Sequence, residues 1–531
     1  MRARSHWAWG YEDRFPDEAR QRALADRVAF VLGKPVAPRA PTPLEAARVP
    51  EPVAPVPEAL GAFATTDRRE RVMHTWGRAF PDVVRGFSGD FSAAPDVVLR
   101  PRTEEEVAIA IEACAAARWA LVPWGGGTSV VGGVEHRRDG RFAGHATLDL
   151  GALARVLEVD PVSRAARIEC GASGPVLDEQ LEGNGFTLRH YPQSYEHSTL
   201  GGWIATRAGG HFATVYTHID DLVESVRVLT PRGPIETRRL PASGAGPSPE
   251  RMFLGSEGTL GVITSAWMRV QPTPRYRASA SVHFREHHAG VDATRAIAQS
   301  GLFPSNCRLL DAREALLHEV AADGTSVLLL AFESADHPLG PWIERAVAIA
   351  TAHGGECRVG PITAERGERT HEGQSGAEAS WRRAFFDAPY AQSALVAMGL
   401  VADTFETACT WDRFPGLHEA VVRATKDALR RTCGGGVVSC RFTHVYPDGP
   451  APYYTFVGAP AGEPLEAWTV IKDAAMRAIG ESGGTITHHH AVGRTHREAW
   501  HRERAPLFGE ALAAVKASLD PAGVLCPGVL L

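Results

Sequence analysis

Apolar residues come in two rhythms from about residue 94 onward. Short runs rich in branched side chains predict strands at residues 95–100 and 120–123, several more between 148 and 170, and a hairpin from 226 to 235 whose turn carries Pro231 and Gly233. Longer stretches with helical spacing lie between them. Thr103 followed by Glu106 forms a capping-box signature that opens a helix reaching about residue 118. After Val270-Gln-Pro-Thr-Pro274 glycine thins out, and residues 275 to about 480 alternate strands (326–332) with alanine-rich helices (341–353 and 417–433). Upstream, residues 17–32 read as a helix. The eight prolines between Pro35 and Pro57 predict an extended linker, because proline lacks the amide a helix needs. These rhythms predict an α+β protein on a mixed sheet. Its expected divisions are an N-terminal helical segment and linker (1–92), a glycine-rich domain (93–274), a second domain (275–484) and a C-terminal segment (485–531).

A chain of 531 residues exceeds what one core usually serves, which fits two or three domains. Its 56 basic and 62 acidic residues leave a net charge of -6, so no basic field marks a nucleic-acid binder. Eight scattered cysteines without a CxxC spacing exclude a disulfide scaffold and a thiolate zinc site on pattern, and read as reduced thiols. No apolar run is long enough for a membrane span, and the start lacks a signal-like pattern. The expectation is a cytoplasmic protein.

The chemistry begins with glycine. Pro123-Trp124-Gly125-Gly126-Gly127-Thr128-Ser129 leaves a strand directly, so successive amides can converge on a pyrophosphate with two hydroxyls beside them. Alone, a glycine triplet is equally a plain turn. Three further segments repeat the theme: Gln193-Ser194-Tyr195-Glu196-His197-Ser198-Thr199 before Gly201-Gly202, then Thr206-Arg207-Ala208-Gly209, then Glu257-Gly258-Thr259-Leu260-Gly261-Val262-Ile263. A large ligand with two phosphates and an extended body would need such repeated close backbone approach. Neither a GxGxxG fingerprint nor a Walker loop is present.

This ordered set, together with the Trp-Gly-Tyr-Glu-Asp13 start and Thr404-Phe-Glu-Thr-Ala-Cys-Thr-Trp-Asp-Arg413, resembles the vanillyl-alcohol oxidase family of FAD flavoproteins, in its alkyldihydroxyacetonephosphate synthase branch. The resemblance implies a PCMH-type FAD-binding domain of two α+β subdomains over 93–274 and a cap domain with an antiparallel sheet over 275–484. Residues 485–531 would return to the active site, and the FAD would be held without a covalent bond. It also implies a redox-neutral reaction. The acyl group of an acyl-dihydroxyacetone phosphate leaves, the carbon skeleton attaches to flavin N5, and a fatty alcohol displaces it. A lipid-like substrate, a homodimer and transient membrane contact are further implications.

His488, His489 and His490 end a β-like run, in which His488 and His490 would share one face. A metal site there lacks a third ligand in the sequence, and none is expected; a proton acceptor for an alcohol suits imidazole. By resemblance the triplet serves the active site, Tyr453 takes a proton from the substrate carbon, and Arg308 holds substrate or flavin. Arg441 is a candidate substrate cation. Where the family places an arginine for the substrate phosphate, this chain has Gln392, which cannot make the charge-assisted pair, so the substrate is expected to differ or another cation (Arg308, Arg441 or Arg494) to serve. Ala491 replaces a glycine, Arg494 a lysine and His197 an aromatic. Two other readings compete: an FAD-linked oxidase or dehydrogenase of a hydroxy acid or alcohol, and a flavin-binding scaffold without catalysis.

Overall fold

Three apolar strands, Val97–Leu99, Gly144–Asp149 and Trp119–Trp124, pair in parallel, and Ala64–Thr65 adds an antiparallel edge. The helix Glu104–Ala117 covers them. Its start is fixed by the Thr103 hydroxyl, which accepts from the Glu106 amide, and its inner face carries Val107, Ile111 and Cys114 onto Leu99, Leu121 and Leu148. Each large side chain so buried contributes about 1.5–3 kcal/mol. The computed structural model describes residues 2–366 and 377–531.

A second sheet is antiparallel throughout, in the order Val156–Asp160, Ala165–Glu169, Val262–Arg269, Val223–Thr230, Gly233–Glu236. Helices Gly174–Glu182 and Leu200–Thr206 bury Leu177, Leu181, Trp203 and Ile204 against its Ile168, Val226 and Val228. The third sheet has seven strands in the order Glu356–Glu365, Tyr276–Phe284, Ser326–Ser334, Asn306–Leu310, Val437–Val445, Pro450–Gly458, Val401–Glu406, all antiparallel. Helices Phe414–Cys433 and Pro464–Glu481 pack on its outer strands through Leu417, Val421, Leu429, Ile471 and Ile479. The architecture is α+β.

The chain ends are structural members. Trp7 and Trp9 are buried, and the Trp9 amide donates to Ser393 Oγ at 3.2 Å. Arg4 reaches the carbonyls of Gly126 and His197. At the other end Leu525 bridges in parallel to Leu121, and Lys516 donates to the carbonyls of Thr259 and Leu525. All eight cysteines are free, six of them buried. No helix among the described residues is long and apolar enough to cross a membrane.

Candidate active site

A cavity of about 1430 Å³ opens between the first two sheets and the seven-stranded sheet. Its floor is glycine backbone. Pro123 to Ser129 line it, with Gln193, Ser194, Ser198, Thr199, Thr206, Ala208, Gly209, Glu257, Gly258, Gly261, Val262 and Ile263. The glycine loop and the second segment are in contact at Gly126, where any Cβ would stand 1.8 Å from the His197 carbonyl oxygen. Gly127 takes φ +66°, a left-handed conformation that glycine adopts freely. Tyr195, Glu196, His197, Arg207, Thr259 and Leu260 do not line the cavity. The Tyr195 hydroxyl donates to Asp178, Arg207 pairs with Asp220, and His197 stacks edge-on with Tyr11 at 5.0 Å beside the Tyr390 hydroxyl. Burial pushes the His197 imidazole down to about 3.

The roof comes from strand pairing. Tyr453, on the strand Pro450–Gly458, is directly opposite Arg441 on one neighbour and Glu406 on the other, so three side chains form a row across one face of the sheet. Arg441 lies over the Tyr453 ring, and its guanidinium is held by the buried Glu314. The Tyr453 hydroxyl donates to Thr404 Oγ1 at 2.9 Å. Burial raises the pKa of the phenol, and the Arg441 charge and the Thr404 hydroxyl oppose that rise.

Glu406 organises the histidine triplet. Its carboxylate accepts from the amides of His488, His489 and His490 and from the Thr487 hydroxyl, at 2.6–3.2 Å. Burial works against its charge, but the neighbouring imidazoles and the Thr487 hydroxyl outweigh it and hold the carboxyl well below its usual range. This arrangement corrects the expected strand. Residues 485–490 coil around the carboxylate, so period-2 alternation fails and His489 and His490, rather than His488 and His490, line the cavity. Their rings stand 6.1 and 5.5 Å from that of Tyr453. Burial pushes His489 down to about 3 and His490 to about 4, so both are neutral at pH 7. His488 turns away toward Tyr446 and His218, at 2.8 and 3.1 Å.

Arg308 and Gln392 both line the cavity. Arg308 donates to the ring and carbonyl of His211, and burial, with the Arg441 charge, brings its guanidinium down to about 9. The Gln392 amide is tied to the Ala402 carbonyl and Asp403, whose carboxylate also receives Trp468 and Lys472. Arg494 is occupied elsewhere, donating to the carbonyls of Gly528, Pro527 and Glu135. Ala491 takes φ +73°, which explains why glycine suits that position. One arm of the cavity carries Leu395, Val457, Val28, Val31, Leu316 and Leu317, with charged Arg27, Arg313 and Glu319 among them.

Four contributors had not been singled out from sequence: Glu406, Thr404, His444 and Asp403. Glu406 carried a signal only as part of the Thr404-to-Arg413 stretch that bears the resemblance. His444 carried none, because an irregularity between Phe442 and His444 inserts Thr443 as an extra residue and lets adjacent Thr443 and His444 both line the cavity.

Comparison with known proteins bears directly on this geometry. Residues 95–238 match the FAD binding domain family, and residues 273–530 match the family described as FAD linked oxidases, C-terminal domain. Alkyldihydroxyacetonephosphate synthase of Caenorhabditis elegans is 30% identical over 490 residues, covering 88% of this chain and 81% of the relative. That of Trypanosoma brucei brucei is 28% identical over 478 residues, covering 88% and 78%. The chain belongs to the FAD-linked oxidase family, in its alkyldihydroxyacetonephosphate synthase branch. A solved alkyldihydroxyacetonephosphate synthase superposes with a TM-score of 0.82 at 24% identity, covering 99% of this chain and 98% of that one, and so shares the fold.

The cofactor of an FAD-linked oxidase is FAD, and the residues present fit it. The glycine loop, packed so closely on His197 and Thr199 that no side chain can enter, exposes backbone and the Thr128 and Ser129 side chains to the cavity. The cavity continues from there to Tyr453, His489 and His490, so one extended ligand can run from cradle to roof. In this FAD-dependent enzyme the third glycine segment also borders the polar groups, since a Cβ on Gly209 would come within 3.0 Å of His444 and 3.1 Å of His489.

Proposed function

We propose that the enzyme exchanges the acyl group of an acyl-dihydroxyacetone-phosphate-like substrate for a fatty alcohol without net redox change. The observation that carries this reading is the meeting of Tyr453, His489 and His490 on a cavity whose lining also includes Leu395, Val457 and Leu316. FAD held without a covalent bond by the glycine segments would supply an electrophilic flavin ring for this reaction. Tyr453 takes the proton from the substrate carbon, and Arg441 over its ring stabilises the phenolate that does so. His489 and His490, kept neutral by burial, accept the proton of the incoming alcohol. Glu406 fixes both imidazoles by gripping their amides. The fatty chains occupy the arm between Leu395, Val457 and Leu316.

Arg308 holds the anionic group of the substrate, in place of the arginine that Gln392 replaces. Asp403 beside Gln392 takes up the charge of Lys472, so that position offers an anion little attraction and the polar head turns toward Arg308. The test is anaerobic incubation of the yellow protein with palmitoyl-dihydroxyacetone phosphate and hexadecanol, with products read by mass spectrometry. Ether product with the flavin oxidised at the end is expected. No ether, together with flavin bleaching by a hydroxy acid or alcohol, would instead assign net oxidation.

A further inference from the structure

The histidine triplet lacked a third metal ligand when read as sequence, and the fold supplies one. The strand irregularity at Thr443 turns His444 toward the cavity, where its ring lies 5.0 Å from that of His488 and 5.3 Å from that of His489. One nitrogen from each of His444, His488 and His489 lies within 4.8 Å of those of the other two. We propose that these three imidazoles form a site for one zinc-class divalent cation at the edge of the active-site cavity.

The hydrogen bonds decide where the ring protons sit. His444 Nε2 is 3.0 Å from the Gly210 carbonyl oxygen, which can only accept, so the proton is on Nε2 and Nδ1 is a bare lone pair. That Nδ1 is buried and has no hydrogen-bond partner among the described residues. His218 Nδ1 donates likewise to the Arg207 carbonyl, leaving its Nε2 as an acceptor 3.1 Å from His488 Nε2. The Tyr446 hydroxyl, 2.8 Å from the same His488 Nε2, can give its own proton to Thr217 Oγ1 at 3.0 Å and accept from His488, so with the His488 proton on Nε2 its Nδ1 is a second lone pair. It faces His489 Nδ1 at 3.0 Å. With the His489 proton moved to Nε2, three lone pairs are available, and no net proton need be released for a cation to bind.

The surroundings have the features that support imidazole ligands. A ligating histidine usually donates its other nitrogen to a carbonyl or carboxylate, as His444 does to Gly210. The ionised Glu406 has an oxygen 3.6 Å from His489 Nδ1 and offsets the charge of the cation. Neutral imidazoles select zinc, cobalt or nickel over magnesium and calcium, which prefer oxygen. His444 and His489 line the cavity, so an ion has a route in. Occupancy would take the His489 lone pair away from proton transfer, making the cation a reversible inhibitor.

The test uses the FAD-loaded enzyme without substrate, which separates it from the reading of the reaction. Equilibrium dialysis against Zn²⁺, with metal and flavin counted by mass spectrometry and absorbance, should give one zinc per chain that a hundredfold excess of Mg²⁺ does not displace. His444→Asn and His488→Asn should each weaken zinc binding at least tenfold with the flavin content retained. His287→Asn, whose ring meets Ser326 and His418 instead of the cluster, should bind as the parent does. Less than stoichiometric zinc on the parent enzyme, displacement by Mg²⁺, or unchanged affinity in both variants would overturn the proposal. The first two outcomes decide it even if a variant fails to fold.

Discussion

The guanidinium carbon of Arg441 stands 3.9 Å from the centroid of the Tyr453 ring, and the two residues are cross-strand partners. A buried phenol is thereby paired with a cation that favours its ionised form. Tyr453→Phe should lower kcat/KM by about 10²–10⁴-fold with FAD still bound. Burial raises the phenol, and the Thr404 hydroxyl helps to bring it down. Thr404→Val should therefore move the rising limb of the pH–rate profile to higher pH, and a profile unmoved by that change would exclude the phenolate as the base.

Glu406 gathers three consecutive amides and a hydroxyl into one carboxylate. Glu406→Gln puts an NH2 group where acceptors are needed and should cost about 1–3 kcal/mol in urea unfolding. Because His489 and His490 would shift, activity should fall by roughly 10²-fold. Full activity in a destabilised variant would mean that the grip on these amides serves folding alone.

Asp96 joins the proline-rich linker to the first sheet, accepting from the amides of Val53 and His145 and from Arg138. Burial disfavours its charge, but His145 and Arg138 outweigh that and hold the carboxyl at about 2 rather than 3.8. A carboxyl so depressed stabilises the fold above its unfolded value and loses that contribution as pH falls through 2. Asp96→Asn should cost about 2 kcal/mol at pH 7, with the difference from the parent shrinking toward the acid limit. Paired denaturation curves at pH 7 and pH 3 would show it.

Gly126→Val must push the His197 carbonyl away from a position 1.8 Å from the new Cβ. The variant should purify with little or no yellow colour, while its circular dichroism resembles the parent. Retained flavin would remove the glycine loop from the cofactor site.

Ala491 holds a left-handed conformation at the end of the triplet, φ +73°. Ala491→Gly should raise stability by about 1 kcal/mol, measured as a higher urea midpoint. An unchanged midpoint would show that the loop relaxes without strain.

The fold class and the positions of many elements were legible because local rules agreed with tertiary ones. Thr103 caps the helix Glu104–Ala117, and the proline-glycine turn joins Val223–Thr230 to Gly233–Glu236. The glycine cradle was legible for the same reason, since close backbone approach demands residues without side chains. The triplet was read as a strand and is not one. Its shape depends on Glu406, some eighty residues earlier, and no periodicity encodes a distant carboxylate. His444 was hidden by the irregularity at Thr443, which reverses the inward and outward positions beyond it. Arg441 could be proposed as a cation, but its place over Tyr453 follows from strand register, which only the paired sheet defines.

The N-terminal strap has a consequence for the order of assembly. The Trp9 amide meets Ser393 across a sequence separation of 384 residues, and the Tyr11 amide meets the Tyr390 hydroxyl across 379. During synthesis the strap is made well before its distant anchors, so Trp7 can already pack on Phe87 while Trp9 waits undocked as both sheets of the glycine-rich half form. Contacts of such separation close late, after local structure has repaid part of the entropy cost. Trp9 lines the finished cavity. Residues 9–11 are thus made before the segment they dock on and settle with it, completing the wall of the cavity only when the roof is in place.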